Sequence, residues 1–343
     1  MRHRLILAAV VIIAAALYFL TRPAGEEYFS FDGPTMGTRY SVTGGPLPLK
    51  NDLESLQAAL EARLAAIVAV FSTWEADSEI SRLNANDSTE WIEISPEFLA
   101  VLQEARGISE LTDGAFDVTV GPLVNLWGFG PDMGEDDIPP EAEIDAARER
   151  VGFELLELRE DPPSLRKARG DVVIDLSAIA KGYAVDELAA LLAGAGVLNY
   201  LVEIGGELRG QGLNEQGEPW RIAIERPVPG ERSVQRVLGL RDAGLATSGD
   251  YRNFFQVDGE RYAHVIDPAS GRPVAHRLAS VTVLADSAMT ADGLATGLLV
   301  LGPEAALELA RQHDLAVYFI EIDGENFRER SSPAFEPYLD AAP

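Results

Sequence analysis

Three groups of residues in this chain have types and spacings that could do chemistry. The first centres on Lys181, in Asp175-Leu176-Ser177-Ala178-Ile179-Ala180-Lys181-Gly182-Tyr183-Ala184-Val185-Asp186. Only three lysines exist, Lys50, Lys167 and Lys181, and this one sits among Ala, Ile and Gly where a core would take an apolar residue. A cation there can answer an anionic ligand; the plainer alternative is a solvated lysine on an amphipathic helix. The second group is Asp292 with Thr296, four apart in a helical stretch and therefore on one face. A carboxylate and a hydroxyl together offer oxygen ligands to a hard cation such as magnesium, whereas an ordinary exposed acid is the alternative. The third is His264-Val265-Ile266-Asp267-Pro268. A strand-edge histidine near an acid can act as a general base near neutral pH, or it is a structural hydrogen-bonder beside a tight turn at residues 267–271. Thr247-Ser248-Gly249-Asp250-Tyr251 adds hydroxyls, but a Ser248-His264-Asp267 triad exists only on paper, because nothing resembles a nucleophile elbow.

The elements that must hold these groups follow from apolar spacing. Val172-Val173-Ile174 predicts a strand, and Leu188, Leu191 and Leu192 predict a helix after it, so Lys181 falls at a strand-to-helix junction where backbone N–H groups are free. Upstream, residues 28–42 are extended and interrupted by Gly33-Pro34-Thr35-Met36-Gly37-Thr38. Leu53, Leu56, Leu60, Leu64, Ile67 and Phe71 make an amphipathic helix, capped by Asn51 or Asp52 and ending near Ser72-Thr73-Trp74. Ser78 to Asn86 reads as a polar loop, Ser95-Pro96 as a helix start, and Asp113-Gly114 as that helix's end. Ala115 to Pro122 is a compact run with an aromatic and an acid; residues 131–140 form an acidic loop, and Pro140 opens a short helix to about Val151. Downstream, residues 200–204 are a strand ending in Gly205-Gly206, and residues 220–225, 234–240, 254–257 and 262–266 read as an antiparallel meander. Residues 279–284 are a strand, Asp286 or Ser287 starts a helix through Leu301, Pro303 opens another to about His313, and 315–322 is a closing strand. This irregular order argues for an α+β fold, and no internal repeat is visible.

Composition narrows the field. Over 343 residues, 47% hydrophobic content is ample for a packed core. A formal net charge of -27 argues against nucleic-acid binding and requires a local cation for any anionic substrate. The absence of cysteine removes disulfides, thiolate metal sites and cysteine nucleophiles. The N-terminus begins with the basic Met1-Arg2-His3-Arg4, continues in an apolar run at 5–20 and closes with Thr21-Arg22-Pro23. Residues 1–24 are therefore expected to be a signal or signal-anchor segment, preferably uncleaved, with residues 25–343 as the functional domain. The expected location is the inner (cytoplasmic) membrane, with that domain facing the periplasm or cell exterior.

Taken in order, several of these stretches resemble the FAD:protein FMN transferases, the ApbE-like flavin transferases. The resemblance runs through Thr35-Met36-Gly37-Thr38, Ser78-Glu79-Ile80-Ser81-Arg82-Leu83-Asn84, Gly114-Ala115-Phe116-Asp117-Val118-Thr119, Asp175 to Asp186, Glu203-Ile204-Gly205-Gly206, Ala246 to Tyr251, His264 to Pro268 and Asp292-Gly293-Leu294-Ala295-Thr296. It implies a single α+β domain with an antiparallel sheet and packed helices, which binds FAD and magnesium and moves FMN onto a threonine of a partner protein, releasing AMP. By the resemblance, the metal ligands are the Ala178 carbonyl, the Asp292 carboxylate and the Thr296 hydroxyl. FAD contacts are Met36, Trp74, Ala115, Phe116, Asp117, Asp175, Lys181 and Ile266, and His264 is the base that takes the proton from the incoming threonine. The implied partner is an acceptor subunit of a membrane redox complex, an NqrC/RnfG-like flavoprotein. Many relatives are lipoproteins held by an N-terminal cysteine, which this chain lacks. Some members hydrolyse FAD to FMN and AMP, so a metal-dependent FAD pyrophosphatase and a non-catalytic FAD-binding protein are the alternative readings.

Overall fold

The computed structural model describes residues 28–48, 52–130, 138–228, 230, 233–251, 254–257, 260–324 and 326–340. The expected anchor at residues 1–24 and the acidic stretch at 131–137 lie outside the described residues. The expectation of an inner-membrane protein facing the periplasm is corrected: among the described residues no helix is long and apolar enough to cross a membrane. The reason is visible in the longest helix, Leu53–Phe71, where buried Leu56, Leu60, Leu64 and Ile67 alternate with Glu54, Gln57, Glu61 and Arg63. It is built to cover a core on one face and meet water on the other.

An eight-stranded antiparallel sheet organises the chain. Its strands lie in the order Phe29–Thr35, Thr38–Gly45, Asn199–Ile204, Glu207–Gln211, Ala243–Gly249, Leu278–Ala285, Ala316–Asp323 and Asn326–Ser331. One face carries the helices. Ala288–Leu301 packs on strands Ala243–Gly249 and Leu278–Ala285, Ala180–Gly194 packs on it, and Leu53–Phe71 packs on Ala180–Gly194. Val42, Leu60, Phe98, Leu188, Val281 and Leu298 are among the residues that fill this main core. The opposite face is covered by the hairpin of Trp220–Glu225 and Val234–Leu240, with Leu245, Tyr318, Ile320 and Phe335 in a second core. Strand Leu278–Ala285 is consequently buried on both faces, which is why it is an almost continuous apolar run rather than an alternating one. A third cluster joins Leu123, Trp127, Ile144, Phe255 and Ile266. The mixed α+β architecture is as the sequence predicts.

Local departures have physical causes. Val172-Val173-Ile174 buries Val172 and Ile174 but forms no strand. The Ile174 N–H donates to Asn84 Oδ1 and Asn84 Nδ2 donates back to the Ile174 carbonyl, both at 2.8 Å, so one side-chain amide replaces a neighbouring strand. Asn84 closes a short helix, Glu79–Asn84, where a polar loop was expected; Ser78 caps it and Ile80 and Leu83 are buried. The expected meander is two separate hairpins, because between them the chain returns to the main sheet as Ala243–Gly249. Ile266 belongs to neither hairpin and pairs with Pro273. Residues 315–322 do not close the sheet, since Asn326–Ser331 pairs outside them.

Candidate active site

The Lys181 junction is held by backbone chemistry. The Asp175 N–H donates to the Val118 carbonyl at 2.7 Å, and Asp175 Oδ1 accepts from the Ser177 N–H at 2.8 Å. Helix Ala180–Gly194 starts immediately after. In its first turn the Gly182 N–H donates to Asp292 Oδ2 at 3.0 Å, and so does not close a turn on the Ala178 carbonyl four residues back. This approach needs glycine: a Cβ at 182 would sit 2.3 Å from the Ala288 carbonyl oxygen. One turn later, the Asp186 carboxylate accepts from the Ala288 and Met289 N–H groups, each at 2.9 Å, and so caps the start of helix Ala288–Leu301 from a distance. The two helices thereby bring Lys181 Nζ within 3.8 Å of Asp292 Oδ1. Glu207 enters from the sheet, directly after the Gly205-Gly206 turn, and accepts from Lys181 Nζ at 2.8 Å.

Asp292 and Glu207 are both buried. Burial pushes the Asp292 carboxyl up to about 7; the Lys181 charge and the Gly182 N–H oppose that rise and Glu207 adds to it. Burial works against the Lys181 ammonium too, but Asp292 and Glu207 outweigh it and hold it above the usual lysine range. Two carboxylates around one ammonium leave uncompensated negative charge, and among the described residues buried Glu207 Oε2 has no hydrogen-bond partner. Thr296 lies one helical turn beyond Asp292, and Ala178 borders the same space. Hard oxygen donors beside unbalanced negative charge suit a magnesium-sized cation. Among the described residues no three His, Cys, Asp or Glu side chains cluster to hold a metal, so this mixed carbonyl, carboxylate and hydroxyl set is the arrangement on offer.

These groups open into one cleft of about 890 Å³. Of the residues expected to contact FAD, Trp74, Ala115, Phe116, Asp117, Asp175, Lys181 and Ile266 line it, as do Ala178, Asp292, Thr296 and His264. Met36 does not: it occupies the turn between the first two strands at φ 46° and packs partly buried on the main core, while Thr38 beyond it lines the cleft. Trp74 stands at the rim, 70% exposed, whereas Phe116 and Ile266 are buried in the walls. Asp117 offers the cleft little of its carboxylate, which accepts from the Thr119 N–H and hydroxyl at 2.7 and 2.6 Å and from the Phe153 N–H at 2.7 Å. Burial raises its pKa against those three donors. His264 lies edge-to-face with Phe129, ring centroids 6.3 Å apart, on the segment after hairpin strand Glu260–Ala263. Of the paper triad, Asp267 accepts from the Ala269 and Ser270 N–H groups of its own turn, and the Ser248 hydroxyl pairs with Thr296.

Glu207 and Asp186 were not singled out by the sequence. The only local signal for Glu207 is an acid placed immediately after two glycines; Asp186 carries none.

The sequence profile of the ApbE family matches residues 36–319. A protein of Vibrio cholerae named FAD:protein FMN transferase is 44% identical over 339 residues, covering 99% of both chains, and one of the same name from Haemophilus influenzae is 44% identical over 96% of this chain and 97% of its own. The solved structure of the flavin transferase ApbE from Vibrio cholerae superposes with a TM-score of 0.85 at 45% identity, covering 92% of this chain and all of that one. The apo flavinyl transferase ApbE of Pseudomonas stutzeri gives 0.83 at 40% identity, over 92% and 97% of the two chains. The chain therefore belongs to the ApbE family, a family of enzymes whose curated relatives are named FAD:protein FMN transferases.

Proposed function

We propose that residues 25–343 form a magnesium-dependent transferase that moves the FMN half of FAD onto a threonine or serine hydroxyl of an acceptor flavoprotein, a subunit of a redox complex. The observation that carries this reading is the half-buried Lys181 held between the buried Glu207 and Asp292 at the foot of a cleft large enough for a dinucleotide. The Ala178 carbonyl, Asp292 and Thr296 are the residues that would hold Mg2+, which supplies charge stabilisation to the pyrophosphate oxygens when bound. Phe116 and Ile266 give the flavin apolar walls, and Trp74 an aromatic surface at the rim. The backbone of the Ala115–Asp117 turn and Asp175 border the same space.

In the reaction, the acceptor hydroxyl oxygen forms a bond to the FMN phosphorus while the bond from that phosphorus to the bridging oxygen breaks, and AMP leaves with that oxygen. His264 accepts the hydroxyl proton. Lys181, kept cationic by Glu207 and Asp292, faces the negative charge that builds on the phosphoryl oxygens. Its test is intact-mass analysis of a threonine-bearing acceptor flavoprotein incubated with FAD, Mg2+ and the full chain. The acceptor gains the mass of FMN with wild type, and not with Asp292→Asn or His264→Ala. Free FMN and AMP with an unchanged acceptor would make the enzyme a pyrophosphatase, and unconsumed FAD would make it a binding protein.

A further inference from the structure

Ser248 Oγ lies 2.9 Å from Thr296 Oγ1. Among the described residues neither hydroxyl has a second hydrogen-bond partner. Both line the cleft. Ser248 is fixed by the main sheet, opposite Val281 in the pairing of Ala243–Gly249 with Leu278–Ala285. Its neighbour Thr247 bonds instead to Thr282, at 2.9 Å, so the two hydroxyls of this strand are not interchangeable.

A hydroxyl oxygen that gives a lone pair to a cation must turn its hydrogen away from it. At Thr296 the acceptor within reach is Ser248 Oγ. We propose that Ser248 is a positioning residue for the cation site: it accepts a hydrogen bond from the Thr296 hydroxyl, which holds the Thr296 lone pairs toward the space that Thr296 borders with Ala178 and Asp292. This rests on the reading of Thr296 as a metal ligand given above. With its lone pair taken, Ser248 has its own proton left to give, and the cleft is where an anionic phosphate oxygen can receive it. The hydrogen bonds then run in one direction, from Thr296 to Ser248 to substrate. Without Ser248, a helical threonine turns its hydroxyl to the carbonyl one turn back, here that of Asp292, and the ligand oxygen loses its orientation.

The experiment is calorimetric titration of the full chain with Mg2+ alone, without FAD, on wild type, Ser248→Ala and Ser248→Thr, with a thermal melt of each and the KM for FAD. Loss of an outer hydrogen-bond partner of a ligand typically weakens metal binding about 10–100-fold, and that is the loss expected for Ser248→Ala, with an unchanged melting temperature. Ser248→Thr, which keeps the hydroxyl, restores binding close to wild type. Equal Mg2+ affinity in wild type and Ser248→Ala overturns the assignment, as does a Ser248→Thr variant that melts like wild type yet binds as weakly as Ser248→Ala. A wild-type chain that binds no Mg2+ overturns the metal reading itself, a failure that shows before any variant is compared.

Discussion

Gly182→Ala tests how the two helices assemble the cluster. A Cβ at 182 would lie 2.3 Å from the Ala288 carbonyl oxygen and 2.7 Å from the Met289 Cα, about 1 Å inside ordinary contact, and both obstacles are backbone. Neither can rotate aside, so helix Ala180–Gly194 must move off helix Ala288–Leu301. That movement lengthens the 3.0 Å bond from the Gly182 N–H to Asp292 and pulls Lys181 from its partners. Overpacking of this kind costs about 1–3 kcal/mol, and the lost bond to a buried carboxylate costs about 1.5–3 kcal/mol more. At about 2–4 °C per kcal/mol for a large domain, the melting temperature should fall by roughly 5–25 °C. Turnover should fall about 100-fold, the order expected for a 1 Å misplacement. Gly107→Ala is the control: it lies inside helix Pro96–Leu111 with nothing within 4 Å of the added Cβ, and alanine there should stabilise by about 0.5–1 kcal/mol. Thermal melts and FMN transfer rates, measured side by side, decide the matter. A Gly182→Ala enzyme that melts and turns over like wild type would show that the two helices do not need glycine at their contact.

Lys181→Met should lower FMN transfer by about 100- to 1000-fold while tightening Mg2+ binding, because the ammonium no longer competes for Asp292 and Glu207; a titration showing weaker Mg2+ binding would contradict the charge balance described. Asp292→Asn should abolish Mg2+ binding by calorimetry and transfer by intact mass, with folding retained in circular dichroism. Asn84→Ala leaves the Ile174 N–H and carbonyl without their partner and should cost about 2–4 kcal/mol in urea unfolding. It should also slow transfer, since Asp175 follows directly, and an unchanged unfolding midpoint would show that Asn84 does not stand in for a strand.

What the sequence revealed and what it hid divides along the reach of each interaction. Helices Leu53–Phe71, Pro96–Leu111 and Ala288–Leu301 were legible because their signals are local: apolar residues at three and four, and Asp52, Ser95 and Ser287 accepting from N–H groups three residues on. Strand Ala243–Gly249 was missed because Ala-Gly-Leu-Ala-Thr-Ser-Gly has little β-branched or aromatic character; its pairing with Glu207–Gln211 and Leu278–Ala285 makes it a strand. Val172 to Ile174 misled for the opposite reason, since its β-branched residues suit a strand while Ile174 pairs with the side chain of distant Asn84 and the Val172 carbonyl accepts from Lys167 Nζ. The Lys181, Asp292, Thr296 and His264 positions were readable as residue types, and the fold gathers them around one cleft. Glu207 became visible only once the sheet placed it against Lys181. Asp117 shows the converse, since its carboxylate is taken up by Thr119 and the Phe153 N–H.

The most direct test of the proposed transfer is the ratio of AMP released to FMN covalently attached. It should be measured with the full chain, FAD and Mg2+, in the presence and absence of a threonine-bearing acceptor flavoprotein. One AMP for each FMN attached, little AMP without acceptor, and loss of both products in Asp292→Asn are the expected results. AMP released at the same rate with or without acceptor, accompanied by free FMN, would contradict the proposed transfer.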